Sequence, residues 1–244
     1  MPASKKPKAR SASPFIVGIV LYPGFDLLDV AGMNEVWSFV DAELMGRPIK
    51  TITIARDPEL TALAPLTVKP SNSFDDCPKV DLLFVPGAGD GLVGAIGDTD
   101  LHGFLRKAAK NAGYVTSVCT GGLVLAAAGL LDGYQATCHW SVLDCLKLFP
   151  RVTVVNGFPR YLRDRNRFTG GGISSSIDEA LFMVQQVVGE VSGVGERRPG
   201  QPAGAARDRI QSETAIRGRR PRQRRFFGVR AGRGGDGVVP QGGL

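Results

Sequence analysis

The segment Tyr114-Val-Thr-Ser-Val-Cys-Thr-Gly-Gly122 places a thiol where it can act as a nucleophile. A β-branched apolar run ends at Cys119, and a small-residue helical pattern begins within two or three residues. A side chain on so sharp a strand-to-helix turn projects from the end of a sheet, as in the nucleophile elbow of hydrolases. The start of the helix adds unpaired backbone N–H groups and partial positive charge. Both favour a thiolate, and such sites can lower a thiol from about 8.5 into the range of roughly 3.5–7.5. The same N–H groups can stabilise developing negative charge. Gly121 and Gly122 let the helix pass close to its neighbours. A blander reading stands beside this one: a cysteine at a strand end can be a small buried apolar residue.

The remaining cysteines carry less chemistry. Cys77 lies in a polar loop, and Cys145 falls at core spacing with Leu143, Leu146 and Leu148. Cys138 adjoins His139, but neighbours along a strand point to opposite faces. None of the four cysteines forms a CxxC pair, so zinc-finger and thioredoxin chemistry are not expected. With His102 and His139 as the two histidines, a histidine-rich metal site is not expected either.

The elements that must position Cys119 alternate along the chain. Phe15–Leu21 reads as a buried strand, followed by the turn Tyr22-Pro-Gly24 and a helix from about Leu28, with Val30, Met33, Val36, Trp37 and Val40 near helical spacing. Thr51–Ala55 is a second strand, and Thr67–Pro70 a short extra one. Asp81–Val85 runs into Pro86-Gly-Ala-Gly-Asp-Gly91, and a helix spans about Asp100 to Asn111. Tyr114–Val118 leads to Cys119, and Gly122–Ala128 is the helix behind it. Trp140–Phe149 reads as a helix, Arg151–Val155 and Arg167–Thr169 as strands, and Ser174–Val188 as a last helix. Such alternation implies a parallel sheet covered on both faces, closed by right-handed crossovers. Ligands then sit beyond the carboxyl ends of the strands, so the loops after Leu21, Val85 and Val118 should converge.

The net charge of +7 is unevenly spread. Residues 1–14 carry +4 and residues 195–244 carry +8, which leaves 15–194 at −5. The basic charge lies outside the part that can fold, so nucleic acid is not an expected partner of the folded body. Residues 1–14 read as a disordered leader without the apolar stretch of a secretory signal, and the cytoplasm is the expected compartment. No apolar run approaches the roughly 18 residues of a membrane span. After about Val194 the chain is rich in Arg, Gly, Pro and Ala without apolar periodicity, and disorder is expected there. An abrupt change of this composition fits out-of-frame translation of a G+C-rich gene; an RNA-binding arm is the other reading.

Val118-Cys-Thr-Gly-Gly-Leu-Val-Leu-Ala-Ala-Ala-Gly-Leu-Leu-Asp-Gly133, followed by Ala136-Thr-Cys-His-Trp140, closely resembles the ThiJ/PfpI superfamily. The resemblance extends to Gly24-Phe-Asp-Leu-Leu-Asp-Val-Ala-Gly32, to Asp81–Gly87 and to Thr169-Gly-Gly-Gly-Ile-Ser174, and spans about residues 15–190. It implies a flavodoxin-like three-layer αβα sandwich with a mostly parallel sheet, akin to class-I glutamine amidotransferase domains, and a homodimer. It also implies site roles. Asp29 matches a carboxyl brought to the cysteine sulfur, although an acid in a first helical turn also complements the helix dipole. Gly87 matches a glycine whose N–H helps form an anion pocket, and Ala88 stands where relatives often have a second glycine. Thr120 and Gly121 follow the nucleophile; the Thr120 N–H would serve as an oxyanion donor, or the residue is a helix N-cap. His139 matches a histidine near the cysteine in several relatives, or is a structural strand-end histidine.

Protease-like relatives place His directly after the cysteine. Thr120 stands there in this chain, which argues against peptidase chemistry because a base is needed beside the nucleophile. The Cys-Thr pair resembles the isonitrile hydratase branch and the amidotransferase-like domains of AraC-type regulators. The expected reaction is hydration of an isonitrile to an N-substituted formamide, with Cys119 as nucleophile, Asp29 as general acid, a small-molecule substrate, no metal and no cofactor. Three rivals remain: a ligand-sensing regulator domain, a glyoxalase- or deglycase-like enzyme acting on α-oxoaldehydes, and a redox sensor at Cys119. The regulator reading lacks, after Val194, the two apolar-periodic helices of a helix-turn-helix.

Overall fold

Strand β1 (Phe15–Val20) lies in the interior of the sheet, and its alternate residues face two different cores. The computed structural model describes residues 13–192. The basic leader, apart from its last two residues, and the Arg-rich tail lie outside the described residues. In chain order β1 is followed by α1 (Leu27–Ser38), α2 (Ala42–Met45), β2 (Ile49–Ala55), β3 (Leu60–Thr61), β4 (Thr67–Val68), β5 (Asn72–Ser73) and β6 (Leu82–Val85). Then come α3 (Leu92–Gly97), α4 (Thr99–Ala109), β7 (Tyr114–Val118), α5 (Gly121–Ala127), β8 (Gln135–Ala136), a 3₁₀ turn at Trp140–Val142 and α6 (Leu143–Leu146). Strands β9 (Thr153–Val154), β10 (Tyr161–Asp164) and β11 (Arg167–Gly170) precede α7 (Ser175–Ser192).

Seven strands form one sheet in the order β10-β11-β7-β6-β1-β2-β5. All neighbouring pairs are parallel except β10–β11. On β6, Leu82 and Phe84 enter one core, with Val17 and Ile19 of β1, Met33 and Trp37 of α1, and Met183 of α7. Leu83 and Val85 enter the other, with Phe104 and Leu105 of α4 and Leu123 and Leu125 of α5. The period of two therefore writes both layers into each strand. This is the expected flavodoxin-like αβα sandwich.

Three sequence expectations need correction. Trp140–Phe149 is not one helix but the 3₁₀ turn followed by the single turn α6. Its apolar residues do not share a face: Leu143 and Leu146 are buried, whereas Trp140 and Leu148 are exposed. Cys145, read as a core residue, is likewise exposed. The strand read over Arg151–Val155 shrinks to β9, which pairs with β8 outside the main sheet.

Candidate functional site

The loops that follow β1, β6 and β7 meet as the topology requires. Asp26 caps α1, its carboxylate accepting from the N–H groups of Leu28 and Asp29 at 2.9 and 3.3 Å. The cap fixes the first turn, and so Asp29 points inward with none of its surface exposed. The Asp26 N–H in turn donates to the Gly87 carbonyl at 2.7 Å, tying α1 to the loop after β6.

Cys119 follows β7 at φ 55°, in the left-handed region that non-glycine residues rarely occupy. That conformation turns the chain from strand to helix in one residue and is held from both sides. The Cys119 N–H donates to the Gly170 carbonyl at 2.9 Å, and the Cys119 carbonyl accepts from the His139 N–H at 3.0 Å. Strain of this kind persists only where the surroundings over-determine it. The thiol-bearing residue is 8% exposed.

Gly87 lies between the thiol and the acid. A methyl group there would stand 2.8 Å from Cys119 Sγ and 2.9 Å from Asp29 Oδ2, so both atoms border the same point. The Gly87 N–H donates to Asp29 Oδ2 at 2.8 Å. The Ala88 N–H donates to Thr120 Oγ1 at 2.8 Å, and the Thr120 hydroxyl donates back to the Ala88 carbonyl at 2.9 Å. The Gly87 N–H was expected to help line an anion pocket; in the structure it is bonded to Asp29, and the Ala88 N–H to Thr120. Thr120 occupies the N-cap position of α5, but its side chain makes no capping bond, because its hydroxyl is engaged across the loop. Gly121 is required by close approach: a side chain there would collide with the Val85 and Pro86 carbonyls.

The His139 backbone N–H holds the Cys119 carbonyl. Its ring nitrogen Nδ1 is bonded with Ser141 Oγ at 2.7 Å and caps the 3₁₀ turn. Sequence reasoning did not single out Gly172, which has φ +59° and packs directly against Cys119, or Ser176, whose hydroxyl donates to the Asp29 carbonyl at 2.6 Å. Nor did it single out Tyr22, whose hydroxyl donates to the Pro86 carbonyl. The run Gly170-Gly-Gly172 was the available signal for the first.

Burial dominates the electrostatics. It raises Asp29 from 3.8 to about 7, against the bond from the Gly87 N–H, which lowers it. It pushes the Cys119 thiol up to about 12; the Asp29 charge adds to this, and the Thr120 N–H opposes it. The lowered thiol expected from the helix start is therefore not what the closed site gives. An open cleft of about 440 Å³ lies nearby, lined by Gly24, Asp57, Glu59 and Asp90 among others, but neither Cys119 nor Asp29 lines it. Cys119 and Asp29 meet instead at Gly87, outside that cleft.

Known proteins resemble the chain over most of its described length. The chain is similar to the isonitrile hydratase of Pseudomonas putida, 39% identical over 176 residues that cover 71% of this chain and 72% of that one. It is similar to the HTH-type transcriptional regulator GbdR of Pseudomonas aeruginosa, 31% identical over 72% of this chain but only 47% of the regulator. Among solved structures, a THiJ/PfpI family protein from Pseudomonas syringae superposes with a TM-score of 0.64 at 30% identity, covering 88% of this chain and 90% of that one. Drosophila melanogaster DJ-1beta superposes at 0.61 with 19% identity, covering 76% and 100%. The DJ-1/PfpI family model matches residues 23–186, two-thirds of the sequence with Asp29, Gly87, Cys119 and Thr120 inside it, and the chain belongs to that family.

Proposed function

We propose that the protein hydrates an isonitrile to an N-substituted formamide, with Cys119 as nucleophile and Asp29 as the proton carrier. The observation that carries this reading is the meeting of a buried thiol and a buried acid at Gly87. The narrow approach suits a terminal, linear –N≡C group, whose reacting carbon can reach a sulfur that is only 8% exposed. The 39% identity to an isonitrile hydratase supports the substrate class.

In the proposed reaction Asp29 accepts the thiol proton as Sγ attacks the isonitrile carbon, and returns it to that carbon, giving a thioimidate on Cys119. Water adds to the thioimidate carbon. Collapse of the adduct expels the thiol and leaves the formamide, so the net change is addition of one water. The Thr120 N–H, which supports negative charge on sulfur, steadies both the attack and the departure. The Thr120 hydroxyl keeps Ala88 and the loop after β6 in place.

The likeness to a regulator over less than half of its length favours one second reading, a ligand-sensing domain in which the same pocket binds without turnover. The working form we propose is a homodimer, which size-exclusion chromatography with light scattering would establish. Leu28, Ile177 and Leu181 leave apolar surface exposed on α1 and α7 for such contact. The deciding assay is formamide production from cyclohexyl isocyanide by wild type, C119A and D29A. Loss in both variants is the expected result. Full activity in C119A would sink the mechanism, and tight binding without turnover in wild type would favour the sensing domain.

A further inference from the structure

Glu179 takes no part in the reaction just described, yet the fold buries it completely. It lies on α7, where the Thr116 hydroxyl donates to its Oε1, while Oε2 has no hydrogen-bond partner. A carboxylate left so, with no cation beside it among the described residues, is disfavoured far more than the neutral acid. Burial pushes Glu179 upward; the Thr116 hydroxyl opposes this and the nearby Asp29 charge adds to it, with a net rise.

Its contacts join the three elements that hold the thiol. Thr116 sits on β7, three residues before Cys119. Oε2 fills the space that a side chain at Gly170 would occupy, and the Gly170 carbonyl is the acceptor for the Cys119 N–H at 2.9 Å. Gly172, two residues further on, packs against Cys119 itself. One turn earlier on the same helix, Ser176 grips the Asp29 carbonyl. The groups facing the Glu179 carboxyl are the Thr116 hydroxyl from β7, the Gly170 backbone from β11 and, as the charge acting on it, Asp29 from α1.

We propose that Glu179 is a positioning residue of this site: as a neutral acid wedged between Thr116 and Gly170, it holds the Gly170–Gly172 turn over the Cys119 thiol. Ionisation places an unpaired charge against the β11 backbone and releases the turn. The proposal rests on Cys119 being the reactive thiol but not on the substrate.

The test uses the full chain and needs no isonitrile. Alkylation of Cys119 by iodoacetamide is followed by peptide mass spectrometry from pH 6 to 10 in wild type, E179Q and E179A. Carboxyl ¹³C spectra of glutamate-labelled wild type and D29N identify Glu179 as the resonance missing from E179Q. At pH 7 that resonance should report a protonated acid, and in D29N its transition should move to lower pH. E179A, which removes the wedge, should alkylate at least tenfold faster than E179Q at pH 7. Across the Glu179 transition, the wild-type rate should climb more steeply than tenfold per pH unit, while E179Q follows thiol ionisation alone. An ionised Glu179 at pH 7, or equal rates in E179A and E179Q with both folded by melting curve, would overturn the proposal. If E179A fails to fold, superimposable pH profiles of wild type and E179Q overturn it. Failure to hydrate isonitriles would touch none of these readouts.

Discussion

Asp29→Asn reads the buried acid directly through stability, without any substrate. Burial raises the Asp29 carboxyl from 3.8 to about 7. The native chain then holds this proton more tightly than the unfolded chain. The stability this gives is complete below the unfolded value and is lost as the pH rises through the folded one. At 1.36 kcal/mol per unit, a shift of about three units corresponds to about 4 kcal/mol. Asn cannot ionise, so the variant escapes that loss. It brings a penalty of its own, because Asp29 Oδ1 has no hydrogen-bond partner and an amide N–H there would be left unpaired. That penalty, about 1–3 kcal/mol, does not vary with pH. The unfolding free energy of the variant minus that of wild type should therefore climb by about 4 kcal/mol between about pH 4 and pH 8, and level off above. Urea unfolding followed by tryptophan fluorescence at each pH measures it. For a domain of this size the gap in Tm should widen by roughly 10 °C over the same range. A difference that stays flat with pH would refute the reasoning, whatever its sign.

Three further expectations follow from the same geometry. Formamide formation should show an acid limb near pH 7, with kcat/KM falling tenfold per unit below it, because doubly protonated Cys119 and Asp29 leave no base for the thiol proton; a rate flat to pH 5 would exclude Asp29 as the acceptor. In G87A the added methyl would stand 2.6 Å from Cys119 Cβ and 2.9 Å from Asp29 Oδ2, so alkylation of Cys119 or formamide formation should slow by about 10²-fold. The overpacking should also lower stability by about 1–3 kcal/mol, and wild-type rates in G87A would show that the two groups do not act together. T120V leaves both backbone groups of Ala88 without their buried partner and should cost about 2 kcal/mol or more in a urea melt, with T120S restoring most of it.

The chain announced its sheet more clearly than its connections. Strands β1, β6 and β7 were legible because each is a short apolar run bounded by turn residues, and the convergence of the loops at their carboxyl ends followed from that. Strand β10 was not, since Tyr161-Leu-Arg-Asp164 is half charged and reads as loop until β11 pairs with it. Helix α3, Leu-Val-Gly-Ala-Ile-Gly, is short and glycine-rich, and its existence depends on packing against α5 rather than on propensity. Cys119 and Thr120 stood out as a local motif, whereas Asp29 and Gly87 were named only through the family resemblance. Glu179 was not legible, because a glutamate in an amphipathic helix reads as a solvated residue, and only the fold reveals that its carboxyl occupies the space under Gly170.

The expectation that failed at the site is instructive about which force prevails there. The start of a helix is worth about 0.3–1 kcal/mol to an adjacent anion, and at most ~2 kcal/mol when partly buried, which is about one unit of pKa. Burial of the thiol beside the Asp29 carboxylate moves Cys119 from 9.0 to about 12, the opposite way and further. The helix start therefore cannot hold a resting thiolate in the closed site. In the proposed reaction it can lower the cost of forming one at the moment of attack, when Asp29 takes the proton and its own charge disappears. Loss of that charge removes the second cause of the raised thiol in the same step that creates the nucleophile. A thiol and an acid that each sit above their ordinary values are on this argument a matched pair: the proton that makes either one unreactive alone is the proton that the substrate carbon receives.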